Sequence, residues 1–395
     1  MPTPKFLFVP LVLLLATLVS AQTAATAAPA ISSAQPATAR GMQPGMAAPV
    51  AQPAPTPMVK PVTPVTRKSQ NASPPNVHLQ VPMPQRALIR RIAMVNIPGR
   101  PGFNDLLFLN GCLVMAHPAA STVEVFHVRK RRLIAQIKDM KGAGGLAADQ
   151  AGRVFVANSD AQEIAVISAK DWKLEKRIAL KSAPDALLYV PDTGMLYASN
   201  WRDQSVSMVD AKQGAVLNTV VVGGRPEALA YDPASRQIYV TLEDLRQVAV
   251  LDATLKLLKR YPLVASMPTG LALDSKARRL YVAVRSAVLE LDADSGREIR
   301  RVAAPDGIDM LWLDQAGGAL YGASSDGTVS LFKVGNGVFE AEREYSTQIH
   351  GHTLAFDPAS KTLYLPGGLD GRAKLLILRR VEPGPPTLTN EAMTK

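Results

Sequence analysis

Carboxylate and imidazole side chains recur at one position of this 395-residue sequence. Seven short apolar segments follow one another along the chain, and each is closed by a turn residue. The recurring position lies five residues before that turn residue. Its occupants, in chain order, are Asp105, Gly144, Asp185, Glu227, Thr269, Asp309 and His352. Five of the seven are therefore groups that can carry charge or exchange a proton.

Imidazole and carboxylate groups that meet at one place suit a divalent transition metal or acid–base work. The repeat described below makes the units of His352 and Asp105 neighbours, and His117 ends the segment that follows Asp105. We therefore expect these three side chains to open onto one solvent-accessible pocket. The rest of its rim should be formed by Asp185, Glu227 and Asp309. A second interpretation stays open, in which polar residues occupy this position only because it is exposed to water.

Common catalytic motifs are absent from the sequence. There is no Gly-x-Ser-x-Gly elbow, no His-Glu-x-x-His zinc motif, no Cys-x-x-Cys-His haem attachment site and no Gly-x-x-x-x-Gly-Lys-Ser/Thr phosphate loop. We therefore expect no cofactor, and the sequence does not decide whether a metal binds.

A repeat of 40 to 43 residues positions these side chains. It is marked by a pair of apolar or aromatic residues in the middle of each copy. The pairs are Leu113-Val114, Val154-Phe155, Leu196-Tyr197, Ile238-Tyr239, Leu280-Tyr281, Leu320-Tyr321 and Leu363-Tyr364. The copy Pro226–Ala253 alternates short β-branched and aromatic segments with polar turns and has no helical period. A strand-only repeat of this length is typical of a β-propeller, in which each copy forms a four-stranded blade.

The chain also resembles the YVTN-repeat (YncE-like) family of seven-bladed β-propellers. The matching segments are Phe155-Val156-Ala157-Asn158, Tyr197-Ala198-Ser199-Asn200 and Tyr239-Val240-Thr241, with the following strands Ser205–Asp210 and Gln247–Asp252. The resemblance covers roughly residues 86–380. It implies the fold, and for YncE-like members it implies DNA binding, but the matching residues are structural and indicate no ligand.

The first strand of the domain, RALIRRIAMVNI at residues 86–97, has no blade of its own. The last copy is one strand short before the Pro-rich segment that begins at Glu382. We therefore predict an all-β, seven-bladed propeller over residues 86–380, closed by pairing near Leu88–Ile97 with Lys374–Leu378. Such closure removes an exposed sheet edge.

The segments outside the repeat indicate export. Residues 1–21 combine Lys5, a 14-residue apolar run and a small-residue cleavage site at Ala21, which is typical of a signal peptide. We expect a periplasmic or secreted protein with no membrane span after cleavage, and an uncleaved N-terminal anchor is the alternative. Residues 22–85 contain 13 Pro and no acidic residue and are predicted to be a disordered linker, as is the tail 381–395.

Charge and cysteine content limit the partners. The net charge is +11, and residues 1–85 contribute five basic residues to it and no acidic ones. The densest basic cluster is Arg129-Lys130-Arg131-Arg132, which lacks interleaved aromatic residues and is no strong signal for nucleic acid. The single cysteine, Cys112, cannot form an intramolecular disulfide and is expected to be buried.

Three functions remain open from the sequence. We favour an exported, monomeric binding or scaffold module that takes a small molecule or a protein at the mouth of its central channel. The first alternative is a lactonase-like hydrolase that uses histidine and carboxylates at that mouth. The second is a DNA-binding protein, which only the family resemblance implies.

Overall fold

The computed structural model describes residues 88–381, and these fold into seven antiparallel sheets of four strands each. Each sheet consists of strands that follow one another in sequence, except the last, to which the first strand is added. The predicted all-β, seven-bladed propeller is thereby confirmed. The signal peptide, the linker and all but the first residue of the predicted tail lie outside the described residues.

The strands of the first four blades have the following bounds, after β1 (Leu88–Asn96). Blade 1 contains β2 (Leu106–Leu109), β3 (Cys112–His117), β4 (Thr122–His127) and β5 (Arg132–Lys138). Blade 2 contains β6 (Ala143–Ala148), β7 (Arg153–Asn158), β8 (Glu163–Ser168) and β9 (Lys173–Ala179). Blade 3 contains β10 (Leu187–Val190), β11 (Met195–Asn200), β12 (Ser205–Asp210) and β13 (Ala215–Val221). Blade 4 contains β14 (Pro226–Asp232), β15 (Gln237–Leu242), β16 (Gln247–Asp252) and β17 (Leu257–Pro262).

The remaining blades follow the same order. Blade 5 contains β18 (Leu271–Asp274), β19 (Arg279–Val284), β20 (Ala287–Asp292) and β21 (Glu298–Ala303). Blade 6 contains β22 (Met310–Asp314), β23 (Ala319–Ser324), β24 (Thr328–Gly335) and β25 (Val338–Ser346). Blade 7 contains β26 (Ala355–Asp357), β27 (Thr362–Leu369), β28 (Arg372–Val381) and β1. Two single 3₁₀ turns, Pro118–Ala120 and Ser159–Ala161, connect strands in blades 1 and 2. Within the described residues, no helix is long and apolar enough to cross a bilayer.

Strand β1 completes blade 7 as predicted. It pairs antiparallel with β28 from Leu88 opposite Val381 to Asn96 opposite Lys374. The ring is thus closed by two segments from opposite ends of the domain, and β28 has a partner along its whole length. The last strand ends at Val381, one residue beyond the predicted boundary.

The core lies between the blades. The aromatic residue of the repeat is fully buried in six blades, as Phe155, Tyr197, Tyr239, Tyr281, Tyr321 and Tyr364. Cys112 is also buried, as its apolar strand predicts. These side chains fill the gap between adjacent sheets, so each copy of the repeat adds one blade to the ring.

The first strand of each blade is the innermost one. It forms an edge of its own sheet and contacts the first strand of the next blade around most of the ring. Gly145 makes one such contact possible, because a Cβ atom there would lie 2.6 Å from Ala186 Cα and from the Asp185 carbonyl oxygen. This close approach brings the starts of β6 and β10 together at the channel mouth.

Candidate functional site

A cavity of about 320 Å³ opens at the channel mouth, and carboxyl groups from four blades line it. They belong to Asp105, Asp185, Glu227 and Asp309 of blades 1, 3, 4 and 6. We call this space the mouth cavity. The predicted register therefore brings these four residues together, while ligand binding by them stays a prediction.

A ring of leucines lies next to the carboxyl groups. Each blade has a leucine two residues after the carboxyl or imidazole position, and these are Leu107, Leu146, Leu187, Leu229, Leu271, Leu311 and Leu354. The first six line the mouth cavity and Leu354 is fully buried in the core. The sequence contained this regularity, but a leucine in a short strand is indistinguishable from an ordinary core residue. The cavity thus pairs an acidic rim with an apolar wall.

Asp105 is held in place by two backbone groups. Its Oδ1 accepts a hydrogen bond from the Leu106 N–H and its Oδ2 accepts one from the Leu146 N–H in blade 2, both at 2.7 Å. Burial nevertheless raises its pKa to about 7, because desolvation of the carboxylate outweighs these two hydrogen bonds. Asp105 can therefore gain or lose a proton near neutral pH.

Burial and neighbouring acids shift the ionisation of Glu227 and Asp185 at the rim. Burial, followed by the negative charges of Asp185 and Glu243, raises the pKa of Glu227 to about 8. Burial also raises the pKa of Asp185, although a hydrogen bond from Asn104 opposes the shift. The acidic rim therefore retains part of its protons at neutral pH, since full ionisation would concentrate like charges in a poorly hydrated space.

His352 forms an ion pair at the same mouth. Its Nδ1 lies 2.8 Å from Oδ2 of Asp309, and its side chain is half-buried. The hydrogen bond and charge of Asp309, with a smaller contribution from Asp105, raise the pKa of His352. The imidazolium form is thus favoured. His352 is not among the residues that line the mouth cavity, so its predicted place in one pocket with Asp105 stays a prediction.

His117 does not open onto the mouth, so its predicted place there is wrong. The residue is fully buried, its Nε2 is 2.7 Å from the Arg100 carbonyl oxygen, and its Nδ1 is 3.3 Å from Glu124 Oε1. Its ring stacks on Phe103 with 4.1 Å between centroids. The connection between β1 and β2 covers the end of β3, so His117 has a structural role.

The other polar residues at the ends of second strands are covered in the same way. Asn158 donates a hydrogen bond to Glu163, Asn200 donates to Ser205 and Ser207, and Ser324 donates to the Asp306 carbonyl. Asn158, Asn200 and Ser324 are all fully buried. None of these three side chains therefore lines the mouth cavity.

Several lining residues escaped the sequence interpretation. Asn104, Trp312 and Thr353 line the mouth cavity, and none belongs to the recurring position. Nearby, the Arg225 guanidinium lies 4.7 Å from the centroid of the Trp201 ring. A polar residue one position before Asp105 could have been found by extending the alignment by one residue.

Metal coordination was left open by the sequence. Among residues 88–381, no group of three or more histidine, cysteine, aspartate or glutamate side chains is arranged to hold a metal ion. The four rim carboxyl groups come from blades spread around the ring. A ligand that contacts several of them must therefore be larger than a single ion.

The fold was compared with known proteins. A crystal structure of virginiamycin B lyase from Staphylococcus aureus superposes with a TM-score of 0.62 over 75% of this chain and 100% of the lyase chain. The two sequences are 14% identical. This likeness shows the fold.

The comparison by sequence found no relative. No family model matches the chain, and no curated protein matches it. The resemblance to the YVTN-repeat family consequently stays a prediction. Blade number and ring closure rest on the structure and on its likeness to a known propeller.

Proposed function

We propose that this protein is an exported propeller that binds an organic cation with an apolar part at its mouth cavity. The observation that carries the proposal is the combination of four carboxyl groups with a ring of leucines around one space of about 320 Å³. This volume suits a small ligand. The carboxyl groups would attract the positive charge and the leucines would bury the apolar part.

The ionisation of the rim supports a cationic ligand. Asp105 and Glu227 have pKa values raised to about 7 and about 8 because they are buried near other acids. A cation placed among them favours their ionised forms, so binding should release protons. Affinity should therefore increase as the pH rises through 7 and 8.

Export is the second part of the proposal. It rests on the apolar run and the small-residue cleavage site at Ala21, which are features of the sequence alone. Mass spectrometry of the secreted or periplasmic protein should give a chain that begins at Gln22. Recovery of residues 1–21 in a membrane fraction would indicate an N-terminal anchor instead.

Isothermal titration with hexyltrimethylammonium tests the binding proposal, because the charge of this probe does not change with pH. We expect wild-type protein to bind it more tightly than hexanol or hexanoate, which have a similar apolar chain and no positive charge. The double variant Asp185→Asn/Glu227→Gln should lose at least about tenfold in affinity, since each removed charge–charge contact is desolvated at the rim. The control Glu344→Gln lies on the exposed outer strand β25 and should bind as wild type does. Equal affinity for hexanol would contradict the proposal.

An enzyme that uses the same mouth is the second candidate. The ion pair of His352 with Asp309 lies near Asp105, whose pKa of about 7 lets it exchange a proton near neutral pH, so an imidazole and a carboxyl group are available as acid and base. The likeness to virginiamycin B lyase adds an example of a propeller that is an enzyme.

Two substrates test this candidate. A simple lactone such as δ-valerolactone and virginiamycin B, the compound in the name of the similar structure, should be incubated with wild-type protein and Asp105→Asn. Turnover that is lost in the variant would establish catalysis at the mouth. No turnover of either compound would leave the binding function alone.

A further inference from the structure

A second cavity lies between blades 7 and 1, where the ring closes. Its volume is about 440 Å³. It is lined by the end of the first strand of blade 7 at Asp357 and by the turn between the third and fourth strands of blade 1, Val128–Arg131. These elements lie at the opposite end of the strands from the mouth cavity. We call this cavity the seam groove.

Three other blade interfaces are closed at the corresponding place. Arg153 of blade 2 and the repeated tyrosines Tyr197 and Tyr239 of blades 3 and 4 each donate to a carbonyl group in the matching turn of the next blade. The acceptors are Ala211, Ala253 and Ala293, at 2.9, 2.7 and 2.9 Å. At the seam, Tyr364 lines the cavity instead, and within residues 88–381 its hydroxyl donates no hydrogen bond to the turn of blade 1. The interface therefore remains open as a groove.

The charge of the turn is also reversed at the seam. In blades 3, 4 and 5 the third strand ends in an aspartate, Asp210, Asp252 or Asp292, whose carboxylate accepts hydrogen bonds from N–H groups of the turn. Blade 1 has His127 at this position, and its Nδ1 is 3.4 Å from the Lys130 nitrogen. The turn then continues as Arg129-Lys130-Arg131. The acidic element of the repeat is thus replaced by a basic one.

Three guanidinium groups line the groove, and none of them is paired with a protein carboxylate in the described domain. Arg129, Arg131 and Arg379 line it and are exposed, and within residues 88–381 none of them forms a hydrogen bond or an ion pair with a carboxylate. Arg90 of β1 lies directly opposite Arg379 of β28, a like-charge pair that costs stability. A bound anion would remove this repulsion.

The remaining lining fits a ligand larger than a simple ion. The carboxylate of Asp357 is occupied within its own turn, where it accepts hydrogen bonds from the Ala359 N–H at 3.0 Å and the Ser360 hydroxyl at 2.6 Å. Ile92 and the ring of Tyr364 supply an apolar wall. Arginine forks match the oxygen atoms of phosphate in pairs, which favours phosphate over a monovalent anion.

We propose that the seam groove binds a phosphate monoester, with Arg129, Arg131 and Arg379 around the phosphate and Ile92 and Tyr364 along the attached group. The phosphate comes from a soluble ester or from a lipid headgroup. The proposal is independent of the function proposed for the mouth cavity, because the two cavities share no residue.

Titration of phenyl phosphate into the folded protein at low salt tests the proposal. We expect wild-type protein to bind the probe and the double variant Arg131→Gln/Arg379→Gln to bind it at least about tenfold more weakly, since each hydrogen bond to a charged group contributes strongly. The control Arg297→Gln/Arg343→Gln removes the same charge from two exposed arginines of blades 5 and 6 and should bind as wild type does. All three proteins should have similar melting temperatures, because the replaced side chains are exposed.

Vesicles separate the two sources of phosphate. Wild-type protein and the double variant are sedimented with phosphatidylcholine vesicles that contain phosphatidic acid. A lipid headgroup is identified if wild-type protein sediments, the double variant does not, and phenyl phosphate does not bind. Binding of phenyl phosphate would identify a soluble ester. The proposal is overturned if neither probe binds, if the double variant binds as wild type does, or if only a duplex oligonucleotide binds.

Discussion

At the residue scale, two histidines that looked equivalent in the sequence have opposite roles. His117 is fully buried with the Arg100 carbonyl oxygen and Glu124 as partners, whereas His352 is half-buried beside Asp309 at the mouth. The connection between β1 and β2 encloses His117 completely, whereas His352 keeps about a third of its side chain exposed. Replacement of the two residues should therefore have different consequences.

We expect His117→Ala to lower the free energy of unfolding by about 2–4 kcal/mol, because it leaves a cavity and removes a partner of a buried carboxylate. His352→Ala should change it by less than about 1 kcal/mol, since an ion pair at an open rim contributes little. Denaturant unfolding of both variants measures these values. Equal destabilisation by the two substitutions would mean that His352 is part of the core.

The ionisation of Glu227 should also affect stability. Its pKa is raised to about 8 by burial and by Asp185, so between the ordinary carboxyl pKa and about pH 8 the folded state holds a proton that the unfolded state has lost. Stability must therefore fall as the pH rises through this range. Glu227→Gln removes this loss, and we expect its melting temperature to exceed that of wild type by roughly 2–4 °C at pH 8.5, the equivalent of about 1 kcal/mol.

Melting curves at pH 5 and pH 8.5 measure this difference. At pH 5 the wild-type side chain is protonated and resembles glutamine, so the two proteins should melt together. A variant that is less stable than wild type at pH 8.5 would contradict the raised pKa.

At the scale of elements, the sequence predicted the features that depend on the spacing of the repeat. The blade number, the closing strand and the position that faces the mouth follow from the spacing of pairs such as Leu280-Tyr281, because a four-stranded blade needs a fixed length of chain. The covering of His117 could not be predicted, since it depends on how the connection between β1 and β2 folds over the end of β3, which the spacing of the repeat does not determine. The leucine ring was visible as a pattern, but its exposure to a cavity depends on the packing of the ring.

The closing strand provides the prediction at this scale. Deletion of residues 86–98 should leave β28 with an unpaired edge, so we expect a lower melting temperature and aggregation. The matched control is a chain that begins at residue 86 and keeps β1. Thermal unfolding and light scattering compare the two. If the deleted protein melts at the temperature of the control, closure by β1 does not stabilise the ring.

At the scale of the whole molecule, the described domain has two ends of opposite character. The mouth cavity is lined by Asp105, Asp185, Glu227 and Asp309, and the seam groove at the other end is lined by Arg129, Arg131 and Arg379. The net charge of the chain does not show this separation, because the acidic residues at one end and the basic residues at the other partly cancel in the sum. The same ring can therefore offer different surfaces to a cation and to a phosphate.

The most direct test of the central claim is the proton release that accompanies cation binding at the mouth cavity. Titration of hexyltrimethylammonium at pH 7.5 in two buffers with different ionisation enthalpies gives the number of protons released. We predict release by wild-type protein, because the pKa values of Asp105 and Glu227 lie near this pH, and a smaller release by Glu227→Gln. Binding without any proton release, or no binding at all, would contradict the assignment of the acidic mouth as the ligand site.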